Sequence, residues 1–335
     1  VTNGRLITRD PDGKGYYEHG AVAYEGSQIV EVGEESALRA KYADAEIIDA
    51  KGGVIMPALI NAHTHIYSAL ARGLSIVGNN PTNFYEVLDG TWWAIDRHLM
   101  MDGTRASATA LYMDSIKQGV TTIFDHHASY GEIPGTLHTI AEESKRLGLR
   151  SCLCYEVSDR DGEEKCLQAI QENADFISEC EKNKDPMLAA MFGGHALFTI
   201  SDKTFDRMVE ANNGRTGYHI HVSEGMNDVY DSLQNYGRRP VQRLQDHGIL
   251  GEKTILGHCI HVNTAEMEII KETGTMVVNN PESNMGNAIG ICPVLQLHKR
   301  GILLGMGTDA YTNDMLESLK VALCSQRSQN CLPNV

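Results

Sequence analysis

The sequence predicts a (β/α)8 TIM barrel, an α/β fold, and three observations support this. From residue 54 onward, apolar runs of strand length alternate with amphipathic helical stretches. The runs are nearly continuous in apolar residues, as expected for parallel strands that helices cover on both faces. Polar residues that could bind or catalyse gather where the runs end, and barrel enzymes build their sites at those ends.

The length and patterning predict two parts. The 335 residues suffice for one large α/β domain and a small additional segment. Residues 1–53 contain a hairpin, Ala21–Tyr24 and Gln28–Val32, and a short helix, but too few apolar residues for a core of their own. We therefore expect a small β segment over 1–53 and the barrel over 54–335.

Eight strand–helix units follow one another along the predicted barrel. The predicted strands are 54–62, 119–124, 149–157, 187–192, 217–222, 254–260, 275–278 and 301–307. The first connection, 66–118, is longer than the others, so we expect it to provide a lid or a substrate wall. Its Trp92 and Trp93 either stack on a planar ring or anchor a helix to the core.

A potential ligand, acid or base stands at each of the eight strand ends. In chain order these residues are His63 and His65; Asp125, His126 and His127; Glu156; His195; His219, His221 and Glu224; His258 and His261; Asn279 and Asn280; and Asp309. In a barrel the carboxyl ends of all strands meet at one mouth. A doubly wound sheet would show the same alternation, but this gathering at the strand ends favours the barrel.

Two histidines at the first strand end predict a metal site. Side chains at i and i+2 of a strand share a face, so His63 and His65 can hold one ion. The fifth strand ends at His221 and the eighth at Asp309, and three imidazoles with one carboxylate suit Zn²⁺, or Fe²⁺ as a close competitor. A histidine pair alone is weak evidence, but its coincidence with the other strand ends favours a mononuclear metal site.

Five motifs carry a family resemblance. The stretches "MPALINAHTH", "HIHVSE", "LGHCIHV", "NNPESN" and "GMGTDA" resemble the aminohydrolase branch of the amidohydrolase superfamily. That branch includes guanine deaminase, the adenosine/S-adenosylhomocysteine deaminases and the triazine hydrolases. With "DHHAS" and "CYEVSDRDGEE", the chain is most similar to the SsnA group of aminohydrolases. The resemblance covers essentially the whole chain.

The resemblance implies roles for individual residues. The implied ligands of a single divalent metal are His63, His65, His221 and Asp309. The implied catalytic residues are Glu224, which carries a proton to the ring nitrogen, His258, which contacts the attacking hydroxide or the forming tetrahedral oxygen, and Asp309, which passes a proton to departing ammonia. The implied substrate contacts are His195 and Arg72, and Asn284 in "NPESN" is a further candidate for the edge of the substrate site.

These roles imply a hydrolase that acts on C–N bonds of cyclic amidines. Its substrate would be an aminated heterocycle, purine-like, pterin-like or a related base, which reacts with water to give the oxo product and ammonia. The metal ion would generate hydroxide from water near neutral pH. One alternative is a cyclic amide or halide hydrolase with the same mononuclear site, and another is a non-catalytic barrel scaffold. Relatives in this branch imply a homodimer.

Composition excludes several classes of function. A formal net charge of −15 argues against a nucleic-acid partner, which needs a basic surface. No apolar run approaches the ~20 residues of a membrane span, so we expect no membrane partner. The eight cysteines form no CxxC pair, which indicates buried thiols in a reducing cytoplasm. The sequence has neither an HExxH motif nor a PCxxC motif, which argues against zincins and cytidine-deaminase-type enzymes.

Two questions stay open at this level. Relatives of this branch continue beyond "CLPNV" and add strands that pair with the N-terminal hairpin. We therefore expect residues 1–53 to be half of a composite β-sandwich whose C-terminal partner strands are missing from a truncated chain. The cluster of Asp125, His126 and His127 either lines the pocket or forms a hydrogen-bonded group beneath it.

Overall fold

The computed structural model describes residues 1–334, which form two compact units. One unit is Val1–Leu59, and the other begins at Ile60 and contains the remaining described residues. Val335, the last residue of the predicted barrel segment, lies outside the described residues.

The first unit is built on a four-stranded sheet in the order β3-β2-β1-β4. Its elements are β1 (Gly4–Ile7), β2 (Tyr16–Glu25), β3 (Gln28–Glu34), α1 (Glu35–Lys41) and β4 (Val54–Ile55). Strands β2 and β3 form the predicted antiparallel hairpin, and Gly26 provides the left-handed backbone that its tight turn requires. The unit extends past residue 53 because β4 pairs in parallel with β1.

The second unit contains the predicted parallel strands. They are β5 (Leu59–Thr64), β6 (Val120–His127), β7 (Arg150–Tyr155), β8 (Leu188–Ala190), β9 (Phe192–Ala196), β10 (Tyr218–Val222), β11 (Ile255–His258), β12 (Met276–Asn279) and β13 (Leu304–Met306). One sheet has the order β5-β6-β7-β8, and the other has the order β13-β12-β11-β10-β9. The fourth predicted strand is thus divided into β8 and β9 at Met191.

Two isolated parallel bridges connect these sheets at both edges. One bridge joins Val157 to Gly194, and the His195 amide donates to the Val157 carbonyl oxygen at 2.9 Å. The other joins Thr64 to Asp309, whose amide donates to the His63 carbonyl oxygen at 3.0 Å. Among the described residues, the two sheets therefore meet at both edges only through these bridges, and the predicted α/β fold with parallel strands is confirmed.

Helices connect the strands, as the amphipathic stretches predict. They are α2 (Phe84–Val87), α3 (Trp93–Asp96), α4 (Met101–Lys117), α5 (Thr136–Leu147), α6 (Glu163–Asn183), α7 (Asp202–Asn212), α8 (Met226–Tyr236), α9 (Pro240–Asp246), α10 (Thr264–Glu272), α11 (Pro281–Gly286), α12 (Val294–Lys299) and α13 (Met315–Asn330). Helix α5 shows the helical period clearly, because Leu137, Ile140, Ala141 and Ser144 are all buried. Among the described residues, no helix combines the length and the apolar character that crossing a membrane requires.

Gly307 lies at the contact between β13 and β5. A Cβ atom at this position would overlap the His63 carbonyl oxygen and the Asn280 side chain. We expect Gly307→Ala to lower the free energy of unfolding by about 1–3 kcal/mol, as overpacking does, measured by urea unfolding. Gly251→Ala is the matched control, since nothing lies within 4 Å of its Cβ position. Equal unfolding midpoints for the two variants would contradict this account of the contact.

Candidate active site

The first two candidate ligands lie at the end of β5, His63 within the strand and His65 directly after it, and both are buried. The Nδ1–H group of His65 donates to the carbonyl oxygen of His126 at 2.6 Å. Nδ1 of His63 lies 2.8 Å from Nε2 of His219, and its own Nε2 is buried without a hydrogen-bond partner among the described residues. Each ring is therefore held through Nδ1, which leaves Nε2 available for a ligand.

His221, near the end of β10, completes the imidazole set. Its Nδ1–H group donates to the carbonyl oxygen of His195 at 2.7 Å, and its Nε2 lies 3.2 Å from Nε2 of His65. Because carbonyl oxygens only accept, both Nδ1 atoms carry the hydrogen, and in neutral rings the two Nε2 atoms face each other as lone pairs. A cation bound by both nitrogens would relieve this repulsion.

Asp309 brings a carboxylate to the same nitrogens. Its Oδ1 lies 3.0 Å from Nε2 of His65 and 3.8 Å from Nε2 of His63. Burial opposes its ionisation, but the hydrogen bond and charge of His65 hold the pKa of Asp309 below its ordinary value. The unpaired Nε2 of His63, the Nε2 lone pairs that His65 and His221 present once His65 loses its proton, and an ionised carboxylate together fit one divalent ion.

His258 and Glu224 stand beside this cluster. The His258 Nδ1–H group donates to Oδ1 of Asn284 at 2.8 Å, which leaves Nε2 3.6 Å from Glu224 Oε1 and 3.7 Å from Asp309 Oδ2. Burial, followed by the charge of Asp309, raises the pKa of Glu224 well above its ordinary value. The neutral form of the Glu224 carboxyl group is therefore favoured.

A pocket of about 460 Å³, which includes its open mouth, lies over these residues. Its walls are His65, Tyr67, Phe84, Leu88, Trp92, Trp93, Glu156, His195, His221, Glu224, Ser283, Asn287, Asp309, Ala310 and Tyr311. Five of these residues come from the long first connection, as expected of a substrate wall. Trp93 is also buried against His195 and Phe198, so it serves the core as well as the pocket.

The three predicted substrate contacts occupy different places. His195 lines the pocket, and its Nδ1 lies 2.7 Å from Oγ1 of Thr199. Asn284 is buried behind His258, and Arg72 is exposed with its guanidinium 3.5 Å from the Tyr311 carbonyl oxygen. Neither Asn284 nor Arg72 is among the described residues that line this pocket. Their contacts with substrate, and that of His195, stay predictions.

The cluster of Asp125, His126 and His127 at the end of β6 forms hydrogen bonds beneath the pocket. Asp125 Oδ1 accepts from the Ile66 amide at 2.7 Å, and His127 Nε2 lies 3.0 Å from Oγ of Ser129. His126 contacts Glu156 through Nδ1 at 3.0 Å. None of the three cluster residues is among the described residues that line the pocket, so the structure favours the hydrogen-bonded alternative.

Several pocket residues received no role from the sequence. Glu156 was visible as a strand-end carboxylate, but its position at the end of β7 did not by itself specify a function. Tyr311 and Asn287 come from separate loops, and the Tyr311 hydroxyl donates to Oδ1 of Asn287 at 3.0 Å. No local pattern predicts that contact, because the two residues are distant in the chain.

Comparisons with known proteins agree with this fold. The profile of the Amidohydrolase family matches residues 54–334. The 5'-deoxyadenosine deaminase of Methanosarcina barkeri is 30% identical over 327 residues, which cover 96% of this chain and 72% of that protein. Guanine deaminase of C. acetobutylicum with bound guanine has a TM-score of 0.85 at 18% identity, covering 99% of this chain and 81% of that one. A zinc-bound adenosine deaminase of Xanthomonas campestris has a TM-score of 0.82 at 23% identity, and the match covers 98% of this chain and 74% of that one.

Metal affinity is expected to depend on pH. Burial opposes protonation of His65, but Asp309 raises the pKa of its imidazole to about 9, so a bound metal must displace a proton below that pH. Affinity for Zn²⁺ should therefore increase from about pH 6 to about pH 8, by up to about tenfold per unit. Titration against a competing chelator measures this, and calorimetry in buffers of different ionisation enthalpy counts the released proton. An affinity that falls as pH rises would contradict the assignment.

Proposed function

The chain belongs to the amidohydrolase family, and on that premise we propose that it hydrolytically deaminates an aminated heterocycle. The substrate class is purine-like, pterin-like or a related base, and the products are the ring carbonyl and ammonia. The observation that carries the proposal is the approach of His65 to both Asp309 and His221, with His63 and the carboxyl group of Glu224 close by. The deaminase relative supports the same reaction class.

The proposed metal ligands are His63, His65, His221 and Asp309. Their nitrogen and oxygen donors suit Zn²⁺ best, with Fe²⁺ as the alternative. When bound, such an ion acts as a Lewis acid that lowers the pKa of water toward neutrality. The chain holds the ligand rings in orientation through the carbonyl oxygens of His126 and His195.

Glu224 has the proton that the reaction needs. The amidine carbon of an aminated ring is a poor electrophile until the neighbouring ring nitrogen is protonated. Glu224, whose pKa is raised by burial and whose side chain is 14% exposed, can deliver a proton to that nitrogen and regain one from the attacking water. The raised pKa favours the form of Glu224 that carries the proton.

In the proposed reaction, His258 contacts the oxygen of the attacking water, and Asp309 accepts the second proton of that water. Because Asn284 accepts from Nδ1 of His258, Nε2 can accept a hydrogen bond from the attacking water. Oδ2 of Asp309 lies 3.7 Å from this nitrogen and can collect the second proton of the water. Passing that proton to the departing amine completes the release of ammonia.

Finer assignments are part of the same proposal. The "DHHAS" and "CYEVSDRDGEE" motifs support membership of the SsnA group, and the eight free cysteines support a cytoplasmic location. We propose a homodimer, which light scattering after gel filtration would test.

Residues 1–53 are proposed as half of a composite β-sandwich, and the exposed Ile29, Val30 and Ile48 would be covered by its partner strands.

Ammonia release from metal-loaded protein tests the deaminase. We expect release from at least one member of a panel of aminopurines, aminopterins, aminopyrimidines and aminotriazines. Glu224→Gln should lower kcat by about 10²–10⁴-fold with unchanged metal content, because the amide cannot transfer the proton. Glu210→Gln, an exposed glutamate outside the pocket, is the control.

The alternatives give different outcomes in this assay. Hydrolysis of cyclic amides or halides, with no ammonia released from the aminated heterocycles, would contradict the proposed deaminase and indicate a cyclic amide or halide hydrolase. Absence of stoichiometric metal in protein purified without chelator would favour a non-catalytic scaffold.

A further inference from the structure

Glu156 and His195 form one sector of the pocket, at the adjacent ends of β7 and β9. Resting on the proposed deaminase function, we propose that these two residues select heterocycles that carry a second N–H donor besides the amino group that leaves. The sector would then exclude rings whose only donor is the reacting amine. The following contacts carry this proposal.

Glu156 is a pocket carboxylate with one oxygen unused by the protein. The residue is 3% exposed, and its Oε1 lies 3.0 Å from Nδ1 of His126 and 3.8 Å from Nδ1 of His65. Its Oε2 makes no hydrogen bond to any described residue, and the side chain lines the pocket. A carboxylate oxygen that faces the pocket without a protein partner is available to accept a hydrogen bond from a ligand or from water.

The contacts of His126 leave Oε2 of Glu156 as a hydrogen-bond acceptor. Its Nε2 lies 3.0 Å from the carbonyl oxygens of Gly194 and His219, so Nε2 carries a hydrogen. Its Nδ1 either donates to Oε1 of Glu156 or accepts a proton held on Oε1. In both cases Oε2 carries no hydrogen, so its role as an acceptor does not depend on where that proton lies.

His195 presents a second acceptor. The Thr199 hydroxyl lies 3.0 Å from the Ala196 carbonyl oxygen and 2.7 Å from Nδ1 of His195. Both contacts are satisfied when the hydroxyl donates to the carbonyl and accepts from the Nδ1–H group. With the hydrogen on Nδ1, the neutral ring presents a lone pair at Nε2.

The depth of Glu156 indicates which part of a substrate it meets. Its carboxylate lies next to His65, a candidate metal ligand, and therefore at the reacting ring rather than at a substituent near the mouth. A ring N–H or an exocyclic amino group would pair with Oε2 and Nε2, whereas a ring nitrogen lone pair would be repelled. The purine of an adenosine-type nucleoside has no donor besides its reacting amine, so we infer a different substrate from the one that names the Methanosarcina barkeri relative.

A second metal ion is the main competing use of this sector. His65, His126, Glu156 and His221 lie close enough to share an ion. However, Nδ1 of His65 and Nδ1 of His221 both donate to carbonyl oxygens, and their Nε2 atoms already face each other. His126 likewise uses Nε2 on two carbonyls. Substrate recognition fits these hydrogen bonds better.

A pair of isosteric probes tests the selection. The two probes are 9-methyl-2,6-diaminopurine and 2,9-dimethyladenine. They differ only at C2, where the first carries an amino group and the second a methyl group of similar size, so only the first has the additional N–H donor. We expect metal-loaded wild-type protein to favour the diamino probe by at least about tenfold in kcat/KM for ammonia release. Glu156→Met should reduce that ratio to within about twofold, and Glu156→Gln, whose amide oxygen can replace Oε2, should retain part of it.

The ratio of kcat/KM values for the two probes distinguishes a loss of substrate recognition from a loss of folded protein. A variant that is merely less stable loses activity on both probes equally, and Glu172→Gln, at a buried glutamate that accepts from the amides of Gly135 and Leu137, provides that control. Equal use of both probes by the wild type, or an unchanged ratio in Glu156→Met, would overturn the proposal. Loss of a stoichiometric metal ion in Glu156→Met would also overturn it and make Glu156 a ligand.

The experiment also distinguishes failure of the proposed deaminase function from failure of the proposed subsite. If wild-type protein releases no ammonia from either probe, dissociation constants from calorimetry replace the rate constants. A preference for binding the diamino probe that Glu156→Met abolishes would still support the subsite. Equal affinity of the wild type for the two probes would overturn it.

Discussion

The site depends on two hydrogen bonds from histidine rings to backbone carbonyls. His65 donates to the carbonyl of His126, and His221 donates to the carbonyl of His195. Both acceptors belong to neighbouring strands of the barrel, so the hydrogen bonding that orients the rings forms only when those strands are in register. Because each bond consumes the Nδ1 hydrogen, the two Nε2 atoms are directed at each other and at Asp309. Ring orientation and tautomer are thus set by the fold itself.

Three carboxyl groups in one small pocket have different proton affinities. The pKa of Asp309 is lowered, because contact with His65 outweighs burial. The pKa of Glu224 is raised by burial and by the charge of Asp309. Burial would raise the pKa of Glu156 too, but the histidines around it, among them His126 at 3.0 Å, lower it to about 2. These different environments fit the roles proposed for the three groups, which are metal ligand for Asp309, proton donor for Glu224 and substrate-recognising acceptor for Glu156.

Three strand ends turn sharply where the site is built. Ser223, His258 and Asp309 all have left-handed backbone conformations, which are unfavourable for residues other than glycine. They follow or end β10, β11 and β13, and each is buried within the barrel. The surrounding strands impose these conformations, and at His258 and Asp309 the turns bring catalytic candidates to the pocket. Strain of this kind is concentrated at functional sites because only there does a precise side-chain direction matter.

The sequence by itself determined the strand positions, the barrel and the pairing of His63 with His65, because strand alternation and apolar runs are local properties of the chain. It also indicated His221, Glu224, His258 and Asp309 through their places at strand ends. Only the tertiary structure decided that Asn284 holds His258, that Arg72 is at the surface, and that Glu156 retains a free acceptor oxygen. Those outcomes depend on contacts between residues distant in the chain and on the direction of each hydrogen bond, which no local pattern encodes.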